Sequence, residues 1–138
     1  MQTTELGRGG PQVSRVGLGL MGMSGIYGPA DETESIATIR AALEAGITLL
    51  DTGDFDGMGH NELLLRDALR GVDRSGVFIQ VKFGGQRDPR GAFIGHDASP
   101  VAVKNSLRLL ARAAKTRLDF PRIKRSWMGA ELVGQLHQ

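Results

Sequence analysis

The stretch from Leu49 to Leu64, LLDTGDFDGMGHNELL, joins an apolar pair to three aspartates, three glycines and a histidine within sixteen residues. With the two residues before it, its start reads ITLLD and predicts a short apolar strand ending at Asp51. The glycines predict a loop, and HNELLLRDALRG predicts a helix closed by Gly71. Its expected inward positions are Leu64, Leu65, Ala68 and Leu69. Carboxylates crowded behind an apolar strand are typical of a functional site.

Strands and helices also alternate on the N-terminal side of this stretch. The opening residues predict a short hairpin that leads into a strand at about Val13–Leu20. A glycine-rich loop follows, and a helix is predicted with Asp31 as N-cap, Glu34 three residues later and Gly46 as its stop. Its apolar stripe consists of Ile36, Ile39 and Leu43.

On the C-terminal side, GVFIQVKF at residues 76–83 predicts a third buried strand, followed by a polar loop over residues 84–98. Ser99 and Pro100 are typical of the start of a helix, and its expected inward stripe is Val103, Leu107, Leu110 and Ala114. The whole order predicts an α/β fold with parallel strands buried on both faces. Beyond Lys115 only a brief strand at Leu118–Phe120 is expected, before Pro121 interrupts it.

Composition is that of one globular domain, with 41% hydrophobic and 23% charged residues. The chain has no cysteine, which excludes a disulfide framework, a thiolate metal site and a cysteine nucleophile. We expect a cytoplasmic protein, because the N-terminus has no apolar leader region and no stretch nears the length of a membrane span.

Charge is distributed unevenly along the chain. Residues 1–105 carry 10 Lys and Arg against 13 Asp and Glu, whereas residues 106–138 carry 7 against 2. Such a basic tail could bind nucleic acid, but a solvated helix face and a loose end containing Arg122, Lys124 and Arg125 explain the same count. We therefore expect no nucleic-acid partner and rank that function last.

The letters GLGLMG at Gly17–Gly22 match the dinucleotide fingerprint G-x-G-x-x-G. In that motif the third glycine opens a helix, and an acidic residue follows about twenty positions later. Here the helix begins only after Pro29, and Asp51 lies 29 positions beyond Gly22. The spacing therefore argues against a doubly wound dinucleotide-binding fold.

Polar or loop residues follow each of the three predicted strands: Leu20 and Met21 after the first, Asp51 after the second and Lys82 after the third. In α/β barrels the carboxyl ends of the strands assemble the site. A buried lysine and aspartate on neighbouring strand ends can form a pair, and the lysine can then lower the pKa of a nearby acid. Such a pair is half of a proton-donating site.

The segments VSRVGLGLMGMS, AALEAGITLLDTGDFDGMGHNE, LRDAL and VFIQVKFG together resemble the N-terminal part of an aldo-keto reductase. The resemblance covers about Thr4 to Asn105. It implies a partial (β/α)8 TIM barrel made of an N-terminal hairpin and about three βα units. It further implies NADPH-dependent reduction of a small carbonyl substrate by hydride transfer.

The family's catalytic aspartate and lysine match Asp51 and Lys82, and the nicotinamide end of NADPH would contact Leu20, Met21 and Asp51. The proton-donor tyrosine of the pattern D-T-A/G-D-x-Y-G is replaced here by Asp56. An ionised carboxylate has no proton to donate and opposes the charge that develops on the substrate oxygen. We expect Lys82 to favour that ionised form and carbonyl reduction to be impaired.

The remaining polar residues favour modest roles. Asp54 is expected to serve the loop, His60 the start of the second helix, and Tyr27 either a substrate contact or a plain loop position. No position matches the family's histidine, which follows the fourth strand. The three histidines do not have metal-ligand spacing, so we expect no metal site.

The family is more than twice the length of this chain, so we expect a truncated barrel at residues 1–115 and a basic, irregular tail at 116–138. The loops that supply most of the family's cofactor contacts would be missing, which leaves enzyme activity an open question. The alternative is a non-catalytic half-barrel module that associates with itself or with a partner through its open strand edges.

Overall fold

The computed structural model describes residues 1–113, 117–118, 131–134 and 136–137. The chain begins with an antiparallel hairpin of β1, Thr3–Glu5, and β2, Gln12–Ser14. β1 consists of polar residues and is exposed along its whole length, whereas Val13 and Ser14 of β2 are buried. Ser14 joins the hairpin to the sheet, since its amide donates to Thr48 Oγ1 at 2.8 Å and its hydroxyl accepts from the Thr48 amide at 2.9 Å.

The central sheet contains three parallel strands, β3 at Gly17–Gly19, β4 at Leu49–Gly53 and β5 at Phe78–Lys82, in that spatial order. The register places Asp51 beside Gly19 and Gln80, and Gly53 beside Lys82. The functional side chains of β4 and β5 therefore come from neighbouring strand ends.

Three helices follow the three parallel strands. These are α1 at Glu32–Glu44, α2 at His60–Ala68 and α3 at Pro100–Ala113. The predicted caps are confirmed, because Asp31 accepts the Glu34 amide at 2.8 Å and the Ser99 hydroxyl accepts the Ala102 amide at 3.2 Å. α2 has no side-chain cap, and Gly59 precedes it with a φ of 91°.

The hydrophobic core lies between the sheet and the helices α1 and α2. It contains Leu20, Ile39, Leu50, Leu64, Leu65, Ala68, Leu69, Val77, Ile79 and Val81. The predicted inward positions of α2 are all in this list. In α3 Leu107 is buried as predicted, with Val103 packed beside it, while Leu110 and Ala114 lie outside the residues whose side chains are described.

The sheet has two different faces at its carboxyl end. Leu50, Thr52 and Val81 are buried, whereas their neighbours Asp51 and Lys82 are half-buried. The expectation that the strands are buried on both faces is therefore wrong at this end, where the second face is the one that carries the polar side chains.

Two sequence expectations about strands need correction. The strand predicted at Val13–Leu20 is divided into β2 and β3, which pair with different partners. The loop predicted at residues 84–98 contains an antiparallel hairpin of β6, Gly85–Arg87, and β7, Phe93–His96. Glycines and a proline hide its strand pattern, because they break the alternation of apolar and polar residues that marks a strand.

The C-terminal segment contributes three short strands. These are β8 at Arg117–Leu118, β9 at Glu131–Gly134 and β10 at Leu136–His137. β9 pairs antiparallel with β5, and β10 pairs with β8. The predicted strand at Leu118–Phe120 is described only at Leu118, and Arg122, Lys124 and Arg125 lie outside the described residues. The domain boundary at residue 115 and the irregular character of the tail between these strands stay predictions.

Candidate functional site

An ion pair between Asp51 and Lys82 stands at the carboxyl end of the parallel strands. Lys82 Nζ lies 2.5 Å from Asp51 Oδ2. The lysine side chain is 26% exposed and the aspartate 33%, so the pair is shielded from bulk water but still reachable from it. The structure brings together these two predicted site residues because their strands are neighbours in the parallel sheet.

Asp51 presents two carboxylate oxygens with different surroundings. Oδ2 accepts from Lys82, whereas Oδ1 is buried and has no hydrogen-bond partner among the described residues. The main-chain carbonyl of Asp51 accepts from the Leu20 amide at 2.9 Å, which ties the end of β3 to β4. A buried acceptor without a partner is uncommon and costs free energy, so Oδ1 is the one atom of the pair suited to a further donor.

Asp56, at the position of the family's tyrosine, is completely buried, and neither of its carboxylate oxygens has a hydrogen-bond partner among the described residues. Its carboxyl group lies against Gly53, where a Cβ atom would come within 3.0 Å of Asp56 Oδ2. The same Cβ would lie 3.5 Å from Lys82 Cβ, so all three residues meet at the base of the ion pair.

Burial raises the pKa of Asp56 above its ordinary value, although the positive charges of Lys82 and Arg87 act in the opposite direction. The carboxylates of Asp51 and Asp54 add to the rise. Lys82 acts in the expected direction, towards the ionised form of Asp56, but desolvation outweighs it, so the net pKa shift is upward.

Two further acids surround Asp56. Burial raises the pKa of Asp54, against a hydrogen bond from Ser106 and others from the backbone. Burial also raises the pKa of Glu62 to about 7, and the carboxylates of Asp54 and Asp56 contribute to that rise. Glu62 is 2% exposed, and neither carboxylate oxygen has a hydrogen-bond partner among the described residues. No group of three or more metal-ligating side chains in the described part of the chain is arranged to hold a metal ion.

Leu20 and Met21, the predicted cofactor contacts after β3, take different positions. Leu20 is fully buried in the core, so its side chain offers no surface to a ligand. Met21 is half-buried and begins a 3-10 helix at Met21–Ser24. Of the three residues predicted to meet the cofactor, Met21 and Asp51 keep partly exposed side chains, and their contact with a cofactor stays a prediction.

Asn61 is a site residue that the sequence reasoning missed. It is fully buried at the second position of α2 and makes three side-chain hydrogen bonds. Its Nδ2 donates to the Leu20 carbonyl at 2.8 Å and to Ser24 Oγ at 2.6 Å, and its Oδ1 accepts from Thr52 Oγ1 at 2.7 Å. The signal was an asparagine three residues before the buried Leu64, on the inward side of α2.

His60 begins α2 as predicted and makes two contacts outside its own helix. Its Nδ1 lies 3.0 Å from Ser24 Oγ, and its Nε2 lies 2.9 Å from Glu32 Oε1. Tyr27 is 79% exposed in the loop before α1. These positions place both residues outside the buried acid group.

The hairpin β6–β7 packs beside the loop that carries Asp56. A Cβ at Gly85 would lie 2.9 Å from Phe55 Cδ1, which shows how closely the phenylalanine ring lies on the hairpin backbone. Arg87 fixes this contact, since its Nε donates to the Phe55 carbonyl at 3.1 Å and its Nη1 to the Gly91 carbonyl at 2.7 Å.

No helix in the described residues is long and apolar enough to cross a bilayer.

The comparisons with known proteins agree with this arrangement. The model of the Aldo/keto reductase family matches residues 15–119. Among curated proteins, "Probable aldo-keto reductase 1" of Glycine max is 41% identical over 85 residues, which are 61% of this chain and 25% of that protein.

Solved structures give the same assignment. Aldo-keto reductase AKR11C1 from Bacillus halodurans, in its holo form, superposes with a TM-score of 0.71 at 29% identity, over 83% of this chain and 37% of that chain. PA4992 from Pseudomonas aeruginosa gives 0.69 at 28% identity, over 82% and 42%. The chain thus spans a quarter of the curated relative and about two fifths of the solved ones, with the α/β fold expected for part of a TIM barrel. It belongs to the aldo/keto reductase family.

Proposed function

We propose that this chain carries the Asp51–Lys82 part of an NADPH-dependent carbonyl reductase site in which proton donation is impaired at Asp56. The observation that carries the proposal is the 2.5 Å ion pair at neighbouring strand ends, with a fully buried carboxyl group beside it. The substrate class is a small aldehyde or ketone, and the expected cytoplasmic location belongs to the same proposal.

The residues around β3 and β4 fit the nicotinamide end of the cofactor. Met21 is half-buried at this edge, and the partly exposed carboxylate of Asp51 lies on the neighbouring strand. When bound, NADPH supplies the hydride. The chain's own contribution is to orient that end of the cofactor, to exclude water from the base of the site, and to place Lys82 next to the reacting oxygen.

Asp56 is unsuited to finish the reaction. A carboxyl group is shorter than a tyrosine, and this one is buried against Gly53 without exposed surface. Both of its carboxylate oxygens are buried, so they present no surface from which a substrate oxygen could be protonated. Loss of a positioned general acid typically lowers a rate by ~10²–10⁴-fold, which is the extent of impairment we propose.

The deciding experiment replaces Asp56 by tyrosine and, as the matched control, by phenylalanine. Both variants remove the buried carboxyl group and add an aromatic ring, but only tyrosine has a hydroxyl group to donate. Oxidation of NADPH with a simple aldehyde should rise by about 10²-fold or more in kcat/KM for Asp56→Tyr over the parent chain, and remain low for Asp56→Phe.

A second comparison separates binding from chemistry. Fluorescence titration with NADPH should give the same dissociation constant for the tyrosine and phenylalanine variants, since the difference between them lies in proton donation. Adding Lys82→Met to Asp56→Tyr should abolish the gain, because the lysine would no longer lower the hydroxyl pKa. Equal rates for the tyrosine and phenylalanine variants, with NADPH bound to both, would contradict the proposal.

A self-associating half-barrel is the second candidate function, and the edge of the sheet favours it. Among the described strands β3 pairs with β4 alone, while the opposite side of β5 is covered by β9. The two open edges of this sheet are thus β3 at one side and β9, instead of β5, at the other. Unpaired strand edges can pair with another chain, and Val16, next to β3, is 58% exposed.

Light scattering after gel filtration tests this alternative. A non-catalytic module should form a dimer whose fraction rises with concentration and falls on Val16→Lys, because a lysine at a strand edge opposes edge pairing. Val101→Lys is the matched control, since Val101 is 68% exposed on α3, away from β3. A monomer at all concentrations would exclude this function.

A further inference from the structure

Four polar side chains form a connected group behind the proposed nicotinamide site. We call this group, Thr52, Asn61, Ser24 and His60, the polar clamp. Asn61 stands at its centre and uses one acceptor and two donors at 2.6–2.8 Å. The clamp joins the 3-10 helix Met21–Ser24 to β4 and α2, which come after α1 in the chain.

The peptide groups of Leu20 are held on both sides, on one by Asp51 and on the other by Asn61 of the clamp. The Leu20 amide donates to the Asp51 carbonyl at 2.9 Å, and the Leu20 carbonyl accepts from Asn61 Nδ2 at 2.8 Å and from the Met23 amide at 2.9 Å. Met21 is the next residue along the chain. Its position relative to Asp51 therefore depends on the hydrogen bonds made by Leu20.

Ser24 extends the clamp to the surface. Because Ser24 Oγ accepts from Asn61, its own proton is free to be donated to His60 Nδ1 at 3.0 Å. His60 Nε2 contacts Glu32 Oε1 at 2.9 Å, at the start of α1. Both ends of the 3-10 helix are thus held by residues of α2.

Core packing also holds this segment, through the fully buried Leu20 and the partly buried Met23. The 3-10 helix contains no buried residue and has no side-chain cap, and Gly25 follows it with a φ of 81°. Short 3-10 helices have poor hydrogen-bond geometry of their own. The order of the loop at residues 20–25 therefore depends on contacts from outside it, and Asn61 supplies two of them.

We infer that Asn61 is a positioning residue, which sets the affinity for the nicotinamide cofactor by fixing the loop at residues 20–25 and thereby Met21. The inference rests on the proposed function for the identity of the ligand. Asn61 itself is fully buried beneath the loop, so it acts through Leu20 and Ser24 rather than by touching the cofactor.

The test compares Asn61→Asp with Leu69→Ala in the full chain. Asn61→Asp keeps the size of the side chain and the acceptor for Thr52 but loses both donors to the loop. Leu69→Ala is the control, because Leu69 is 5% exposed in the core at the far end of α2. Its replacement by alanine should weaken the fold without changing the clamp. Ser24→Ala removes a single clamp contact and provides a milder variant if Asn61→Asp fails to fold.

Two readouts distinguish positioning from general stability. The Met23 amide should exchange its hydrogen about tenfold faster or more in Asn61→Asp than in Leu69→Ala, when both are compared at equal global stability. The dissociation constant of NADPH should rise by about tenfold in Asn61→Asp and less in Ser24→Ala, while Leu69→Ala leaves it unchanged.

Equal effects of Asn61→Asp and Leu69→Ala on both readouts would overturn the inference, because a merely structural role would predict that result. An NADPH dissociation constant within twofold of the parent for Asn61→Asp would overturn it as well. If the parent chain and Asp56→Tyr both fail to bind NADPH, the proposed function fails and the cofactor role fails with it. Hydrogen exchange would then still decide whether Asn61 orders the loop.

Discussion

Glu62→Gln should make the protein more stable at neutral and alkaline pH. Glu62 is 2% exposed, its carboxylate oxygens have no hydrogen-bond partner among the described residues, and burial raises its pKa from 4.5 to about 7. A group whose pKa is higher in the folded chain than in the unfolded chain favours folding only while it is protonated. Glutamine has nearly the same shape as the protonated acid and never ionises.

The magnitude follows from linkage between protonation and folding. Below about pH 4.5 the Glu62 side chain is protonated in both the folded and the unfolded chain, so its ionisation does not change the free energy of unfolding. Between about pH 4.5 and 7 the unfolded chain releases the proton that the folded chain retains, so the free energy of unfolding falls by up to ~1.4 kcal/mol for each pH unit. At about pH 8 the accumulated cost reaches about 3 kcal/mol, which Glu62→Gln should remove.

Urea unfolding followed by circular dichroism measures this effect in the parent chain and in Glu62→Gln across the range from about pH 4 to 8.5. The two curves of stability against pH should meet at the acidic end and diverge steadily above it. Asp54 and Asp56 have raised pKa values as well, so the variant should keep a smaller slope of the same sign. Glu44→Gln, at an exposed position at the end of α1, is the control.

A difference between Glu62→Gln and the parent that is the same at both ends of the pH range would refute this reasoning. Such a result would show that the substitution acts through packing and not through ionisation. Lower stability of the variant at alkaline pH would refute it more strongly, since that would require the charged form of Glu62 to be favoured in the folded chain.

Two further substitutions test local features of the fold. Gly53→Ala should lower the free energy of unfolding by about 1–3 kcal/mol, because the added Cβ would come within 3.0 Å of Asp56 Oδ2. Adding Asp56→Ala should recover most of this loss in urea unfolding. Gly76→Ala is the control and should be almost neutral, because no atom lies near the position of its Cβ. Asp31→Ala should cost about 1 kcal/mol in the same measurement, since the side chain accepts the Glu34 amide at 2.8 Å, whereas Asp31→Asn keeps the acceptor and should cost little.

The sequence predicted those parts of the fold that depend on neighbours close along the chain. The caps of α1 and α3 and the inward face of α2 follow from periodicity and from residues three or four positions apart. The pairing of Asp51 with Lys82 could be predicted too, because the carboxyl ends of neighbouring parallel strands lie side by side. Local pattern together with strand order was sufficient for that contact.

The missed features depend on residues that are far apart. Asn61 is buried because Leu20, Ser24 and Thr52 satisfy its polar atoms, and the spacing within α2 does not reveal these partners. The rise in the pKa of Asp56 likewise depends on how deeply the loop packs, which the motif does not state. The strand β9 pairs with β5 from nearly fifty residues beyond it, so no local signal marked it.

The environment of Asp56 connects the chemistry of the site with its stability. The ammonium group of Lys82 acts on two acids: it forms an ion pair with Asp51 at 2.5 Å, and its charge lowers the pKa of Asp56. A charged Asp56 would compete for that lysine, whereas a protonated Asp56 leaves the Asp51–Lys82 pair intact. Burial raises the pKa of Asp56 in the direction that preserves the pair, and the same burial removes its proton from the reach of a substrate. The fold therefore accommodates a buried carboxyl group at position 56, whereas the loss of proton donation there remains the proposal that Asp56→Tyr tests.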